Sequence, residues 1–345
     1  MTTTVITTSV RHRRAGRFFL CLAVLLTASC HRKPIQLLGE AQGTYYSIIY
    51  YDRQGRYLQP QVDSLLQAFD LTASLWVDSS LLRRLNANTT DTVDALFTEL
   101  LTLSQQVSNY TDGAFDPRIG RIVQAWGFSF RQQQEPDSTT LSAMLRAARG
   151  SVAVSNGRLV KEDPATELDF NAIAQGYAVD LLAAMLEGYG ITNYLIDVGG
   201  EVIARGGKPD GSPWRVGVER PADDRDAAPV VHSVVALRNA SLVTSGSYRK
   251  YYERDGIRYS HTIDPATGRP VQHTLLSASV VDSLCWRADA MATAYMVMGL
   301  AQAKRFIADH PDGPGTTAVY FIYDSCGVMM IYETDGFKEL KNKRS

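Results

Sequence analysis

Asp289 and Thr293 stand four residues apart in a run from about Arg287 to Met298 that reads as a helix. That spacing puts both on one helical face, so a carboxylate and a hydroxyl are presented together. Both are oxygen donors of the kind Mg²⁺ accepts, and Mg²⁺ usually completes its shell with phosphate and water. A zinc site is excluded, because the histidines are isolated and the cysteines widely separated. A second cluster runs from Leu168 through Asp169, Phe170, Asn171, Ala172, Ile173, Ala174, Gln175, Gly176, Tyr177, Ala178 and Val179 to Asp180, at the mouth of an amphipathic stretch through Leu181, Leu182 and Met185. A helix entrance there leaves its first N–H groups without partners at the positive end of the dipole, which favours an anion such as a phosphate. Simple capping of the helix by Asp169 or Asn171 is the alternative. His261, next to Ser260 and three residues before Asp264, is a candidate general base near neutral pH, with a structural histidine beside the turn at Pro265 as the other reading. Thr244-Ser245-Gly246-Ser247 lacks the glycine before serine that a hydrolase elbow needs.

These groups must be positioned by a mixture of strands and helices. Thr44 to Tyr51 is aromatic and β-branched and reads as a strand, turned by Asp52 to Arg56. Val62, Leu65, Leu66 and Phe69 recur at helical spacing. Asp78-Ser79-Ser80 is a cap signal ahead of Leu81, and a further helix is read over Val93 to Val107. Ser108 to Pro117 is dense in turn residues around Phe115: it reads either as a binding loop or as a turn pinned in the core. Leu141 to Arg149 is a short helix closed by Gly150, and Asn156-Gly157 joins Val152–Val154 to Leu159–Lys161 as a hairpin. Tyr194 to Val198 is a buried strand running into Gly199-Gly200-Glu201. Since Val202 to Arg205 reads as another strand rather than a helix, a dinucleotide-binding fold is excluded. Strands are expected again at Trp214–Glu219 and Val231–Arg238, and as a closing hairpin at Val319–Tyr323 and Val328–Tyr332. Strands and helices without regular alternation indicate an α+β fold.

The chain has 345 residues, a net charge of -1 and 21% charged residues, so it offers neither the basic excess expected of a nucleic-acid binder nor a disordered composition. Its first thirty residues differ from the rest. Arg11, Arg13, Arg14 and Arg17 precede an apolar run, Phe18 to Leu26, too short to span a bilayer and suited to a secretory signal over residues 1–29. Leu26-Thr27-Ala28-Ser29-Cys30 resembles a bacterial lipobox with Thr27 in place of the usual leucine. The expectation is an exported protein, lipid-anchored through Cys30 and facing the periplasm, with plain secretory cleavage as the alternative. Residues 30–38 are expected to form a tether and 39–345 one catalytic domain. Cys285 and Cys326 either pair in an oxidising compartment or remain free thiols.

Six separated motifs, in order, resemble the ApbE-type flavin transferases, enzymes called FAD:protein FMN transferase. They are Gly113-Ala114-Phe115-Asp116-Pro117, Asp169 through Asp180, Asp197-Val198-Gly199-Gly200, Thr244-Ser245-Gly246, His261-Thr262-Ile263-Asp264-Pro265 with Thr267-Gly268, and Ala288-Asp289-Ala290 with Thr293. The resemblance implies an α+β flavin transferase fold of mixed sheets with flanking helices. It implies FAD as substrate and Mg²⁺ held by Asp289, Thr293 and the carbonyl of Ala172. FAD contacts carry over to Ala114, Phe115, Asp116, Asp169 and Ile263. Trp76 stands where the family usually has a tyrosine that stacks on a ring, and Gln42 where a methionine is common. Gln175 replaces a frequent lysine, and its neutral amide can hydrogen-bond a cofactor but supplies no charge.

The implied reaction attacks the FMN-side phosphorus of FAD with a threonine or serine hydroxyl of an acceptor protein, forming a phosphoester and releasing AMP. His261 is the candidate base for that hydroxyl. The expected acceptor is a subunit of a membrane redox pump that carries FMN on threonine. Two other readings use the same residues: a metal-dependent FAD pyrophosphatase, with water in place of the acceptor, and a non-catalytic flavin-binding lipoprotein.

Overall fold

The computed structural model describes residues 33–127, 136–221, 230–247, 251–254, 257–260 and 262–342. The chain opens with strands β1 (Ile35–Ala41) and β2 (Thr44–Tyr50), then helices α1 (Gln59–Ala73), α2 (Leu81–Asn86), α3 (Ala95–Tyr110), α4 (Gly120–Ala125) and α5 (Ser138–Ala148). The hairpin β3 (Val152–Ser155) and β4 (Arg158–Lys161) leads to α6 (Ala174–Gly188), followed by β5 (Tyr194–Val198) and β6 (Glu201–Arg205). Strands β7 (Trp214–Glu219), β8 (Val231–Leu237), β9 (Ala240–Gly246), β10 (Tyr251–Arg254), β11 (Ile257–Ser260), β12 (Ile263–Asp264), β13 (Arg269–Pro270) and β14 (Leu275–Asp282) come next. The long α7 (Cys285–Asp309), β15 (Ala318–Ser325), β16 (Val328–Glu333) and α8 (Asp335–Asn342) complete the fold. No described helix is long and apolar enough to cross a membrane.

The organising element is an eight-stranded sheet in the order β1-β2-β5-β6-β9-β14-β15-β16, antiparallel at every pairing. Side chains alternate across it. Tyr46, Ile48, Ile196, Ala278 and Phe321 face α6 and α7 in the main core, whereas Tyr320, Ile322, Leu242 and Val281 face a smaller core closed by the β7–β8 hairpin and α8. A third, satellite cluster joins Ile122, Trp126, Leu141, Ala148 and Ile263. The architecture is the expected α+β arrangement.

Residues 35–38 of the expected tether are strand: β1 pairs with β2 from Ile35↔Tyr50 to Ala41↔Thr44. Gly39, which breaks the apolar alternation, is required there because a Cβ would stand 2.5 Å from the Tyr46 ring. Several expected elements are longer than their sequence signal. Asp94 and Asp137 cap α3 and α5 by accepting from Phe97 N and Thr140 N, so these helices start beside the caps. The predicted helix ending at Met298 continues beyond a kink at Gly299, whose φ of 69° is left-handed. Cys285 and Cys326 are free, the first buried and the second exposed at the β15–β16 turn.

Candidate functional site

Asp289 lies on the buried side of α7 and is only 5% exposed. Its Oδ2 accepts from the N–H of Gly176 at 3.0 Å, in the first turn of α6. Glycine is needed at that contact, since a Cβ on Gly176 would stand 2.6 Å from the Cys285 carbonyl and 2.8 Å from the Asp289 Cβ. Burial pushes the Asp289 carboxyl up to about 7, against the lowering effect of the Gly176 hydrogen bond. Two turns into α7, Thr293 Oγ1 lies 3.3 Å from Ser245 Oγ on β9. Of the expected metal pair, both oxygen donors, Asp289 is buried against the start of α6 and Thr293 is partly exposed beside β9. Among the described residues no group of three or more His, Cys, Asp or Glu could hold a metal ion. A buried carboxylate receiving a single N–H is stabilised by a cation, so these residues fit a hard divalent ion.

The stretch ahead of α6 does not cap it. Asp169 Oδ1 accepts from Asn171 N at 2.7 Å, forming a turn, and the N-cap position is Ile173, which makes no side-chain capping bond. The alternative reading, in which Asp169 or Asn171 caps the helix, does not hold: the helix starts at Ala174, and Ala172 lies in the turn before it. Asp169 is buried and its Oδ2 has no hydrogen-bond partner. Desolvation raises its pKa to about 6 despite the Asn171 bond. A buried oxygen of this kind fits a ligand N–H or O–H donor.

Backbone bonds bring the Ser108–Pro117 loop to this point. Asp169 N donates to Pro117 O at 2.7 Å, Gly120 N donates to Glu167 O at 3.0 Å, and Ile119 bridges Glu167. Phe115 is buried in the main core, next to the half-buried Ala114. Asp116 is engaged bidentately by Arg118, at 2.9 and 2.7 Å. From the other side Asn86, the last residue of α2, binds both backbone groups of Leu168 at 2.8 Å, a positioning contact with no local sequence signal because 82 residues separate the partners. Ile263 enters through the satellite core, where Trp126 Nε1 donates to Gly268 O at 2.7 Å and ties the β12–β13 turn to α4.

Gln42 sits at the β1–β2 turn with a φ of 53°, followed by Gly43 at 72°. Its backbone and side chain both bond Asp70, whose pKa is nonetheless raised by burial, and its Oε1 is buried without a partner. Asp70 O in turn accepts from Ser74 N, and Ser74 Oγ accepts from Trp76 N, so the Gln42 turn and the Trp76 loop are connected. Trp76 is 60% exposed. Gln175 donates an amide hydrogen to Val198 O at 2.9 Å, holding the α6 entrance against the β5–β6 turn. At that turn Gly199 has a φ of 60°, and a Cβ would clash with Gln175 Nε2 and Thr44. The nitrogen expected on the cofactor is thus directed at the protein. His261, the candidate base, and Cys30 with the signal segment lie outside the described residues.

The fold and site define an α+β protein with two buried carboxylates, one suited to a hard cation and one to a ligand donor, gathered around the start of one helix. The ApbE family profile matches residues 42–318, and the chain belongs to that family. The FAD:protein FMN transferase of Vibrio cholerae is 34% identical over 332 residues, covering 92% of this chain and 94% of the relative. The protein of the same name from Escherichia coli K12 is 35% identical over 315 residues, covering 84% and 89%. Among solved structures, the flavin transferase ApbE from Vibrio cholerae superposes with a TM-score of 0.77 at 30% identity, covering 89% of this chain and 99% of that one. The apo form of the Pseudomonas stutzeri flavinyl transferase ApbE gives 0.77 at 32%, covering 91% and 98%.

Proposed function

We propose that this chain, an FAD:protein FMN transferase, binds FAD across the two carboxylate regions with a Mg²⁺ ion held by Asp289, Thr293 and the carbonyl of Ala172. The single observation that carries the reading is Asp289: a nearly inaccessible carboxylate, oriented by the Gly176 N–H and one helical turn from Thr293. When bound, the ion draws charge from the pyrophosphate and from the leaving AMP. Asp169 accepts from the flavin nucleotide through its unpartnered Oδ2. The Ala114–Asp116 loop, Ile263, Gln42 and Trp76 shape the rest of the pocket, with the exposed indole stacking on a ring. Gln175 supports the site by holding the β5–β6 turn. His261 removes the proton from an acceptor threonine or serine hydroxyl, which is too weak a nucleophile alone near pH 7.

The acceptor is a subunit of a membrane redox pump, and the enzyme reaches it from the periplasmic side of a bacterial membrane, anchored through a lipid on Cys30. Purified protein incubated with FAD and Mg²⁺, with and without acceptor, is expected to release AMP and form covalent protein flavin only when acceptor is present. AMP without acceptor would instead mark a pyrophosphatase, and no AMP a carrier. Asp289→Ala is expected to lower transfer by more than about 100-fold at saturating Mg²⁺. Undiminished transfer would remove Asp289 from the metal site, and an unchanged rate for His261→Ala would remove the base.

A further inference from the structure

Neither α6 nor α7 caps itself. Ile173 and Leu284 occupy their N-cap positions and make no side-chain capping bond. Each helix is served by a carboxylate from the other. Gly176 N, in the first turn of α6, donates to Asp289 Oδ2 at 3.0 Å. Cys285 N and Trp286 N, the first two amides of α7, donate to Asp180 Oδ1 at 3.1 Å and Oδ2 at 2.8 Å. The contacts flank the place where the helices touch, at Gly176 and the Cys285 carbonyl.

We propose that Asp180 is a positioning residue for the metal site: by fixing the first turn of α7 it sets the rotation and depth at which Asp289 and Thr293, roughly one and two turns further on, face the ligand. The proposal rests on Asp289 being a metal ligand. Asp180 does not meet the ion. It satisfies two amides that would otherwise be open at the end of a helix, from a side chain 105 residues away in the chain. With those bonds present, rotation of α7 would break both, and the reciprocal Gly176–Asp289 bond with them. Metal affinity then depends on a carboxylate outside the coordination shell.

The test titrates Mg²⁺ into the full-length protein with FAD present, followed by calorimetry and by the metal-induced rise in Tm, for the wild type, Asp180→Asn and Asp289→Ala. Asn at 180 keeps one acceptor and loses the other. Asp180→Asn is expected to weaken Mg²⁺ binding about tenfold and to raise the Mg²⁺ needed for half-maximal transfer by the same factor. Its kcat at saturating Mg²⁺ and its KM for FAD are expected to stay near wild type. Asp289→Ala loses Mg²⁺ binding and is not rescued by excess metal. Wild-type Mg²⁺ affinity in Asp180→Asn, or a fall in kcat with no change in Mg²⁺ dependence, overturns the proposal while leaving the metal reading intact. Undiminished binding by Asp289→Ala overturns both. Should Asp180→Asn not fold, Asp180→Glu, which keeps the charge at a displaced position, is titrated in its place against the same outcomes.

Discussion

The two halves of the site are held by different means. At the crossing of α6 and α7, helical amides donate to carboxylates more than a hundred residues away, and a glycine lets the backbones meet. Around Asp169 the fixing contacts are loop to loop: Pro117 O takes the Asp169 amide, Asn86 grips Leu168, and Ile263 is lodged in a separate small core. In the first half both side-chain carboxylates have amide partners. In the second an acceptor, Asp169 Oδ2, is left over. The helical half is thus fixed by bonds within the protein, whereas the loop half leaves a buried acceptor open.

Gly176→Ala is the harshest way to break the helical half. The new methyl would stand 2.6 Å from the Cys285 carbonyl, so α6 and α7 must separate. A loss of about 3 kcal/mol is expected from this overpacking, measured by urea unfolding. An unchanged midpoint would show that the crossing is pliable and erase the contrast between the halves. Asp169→Asn probes the loop half through pH. Burial lifts the Asp169 carboxyl from its ordinary 3.8 to about 6, so across that window the folded chain holds a proton that the unfolded chain releases. Stability from this group is present below about pH 4 and lost as pH rises through about 6. Relative to wild type, Asp169→Asn should therefore gain up to roughly 3 kcal/mol between pH 3.5 and pH 7. Parallel stability profiles for the two proteins would refute the buried, unpartnered carboxylate. The smallest effect is expected for Trp126→Phe, which removes the bond to Gly268 O and should destabilise by about 1 kcal/mol. Faster amide exchange at Val271, whose N–H is bonded to Thr262 O, would report local loosening of the turn, whereas uniform loss of protection would mean that the satellite core is not independent.

The same division explains what could be read from the amino-acid order. Local signals translated directly. Asn156-Gly157 forms its turn with φ of 50° and 72°, Ser80 accepts from Arg83 N as an N-cap, and α6 ends at Gly188 with Gly190 just beyond. The four-residue spacing of Asp289 and Thr293 held because it is a property of one helix. Contacts made across the chain left no such mark: nothing near Asn86 signals Leu168, and nothing in the helical pattern of Asp180 signals that it caps α7. Gly39 hid β1, because its role depends on where the Tyr46 ring packs. The start of α6 moved past Asp169 because that side chain folds back on Asn171.

The strands of the large sheet lie side by side in the order in which they occur in the chain. During synthesis each new strand therefore finds its partner already made, and the sheet can grow along a single advancing edge. Asp169 and the loops bonded to it precede α7 by more than a hundred residues. A nascent chain interrupted between β9 and α7 would carry Asp169 and its loops but neither Asp289 nor Thr293. The Gly176–Asp289 contact thus forms late, with the helix that closes over the finished part of the sheet.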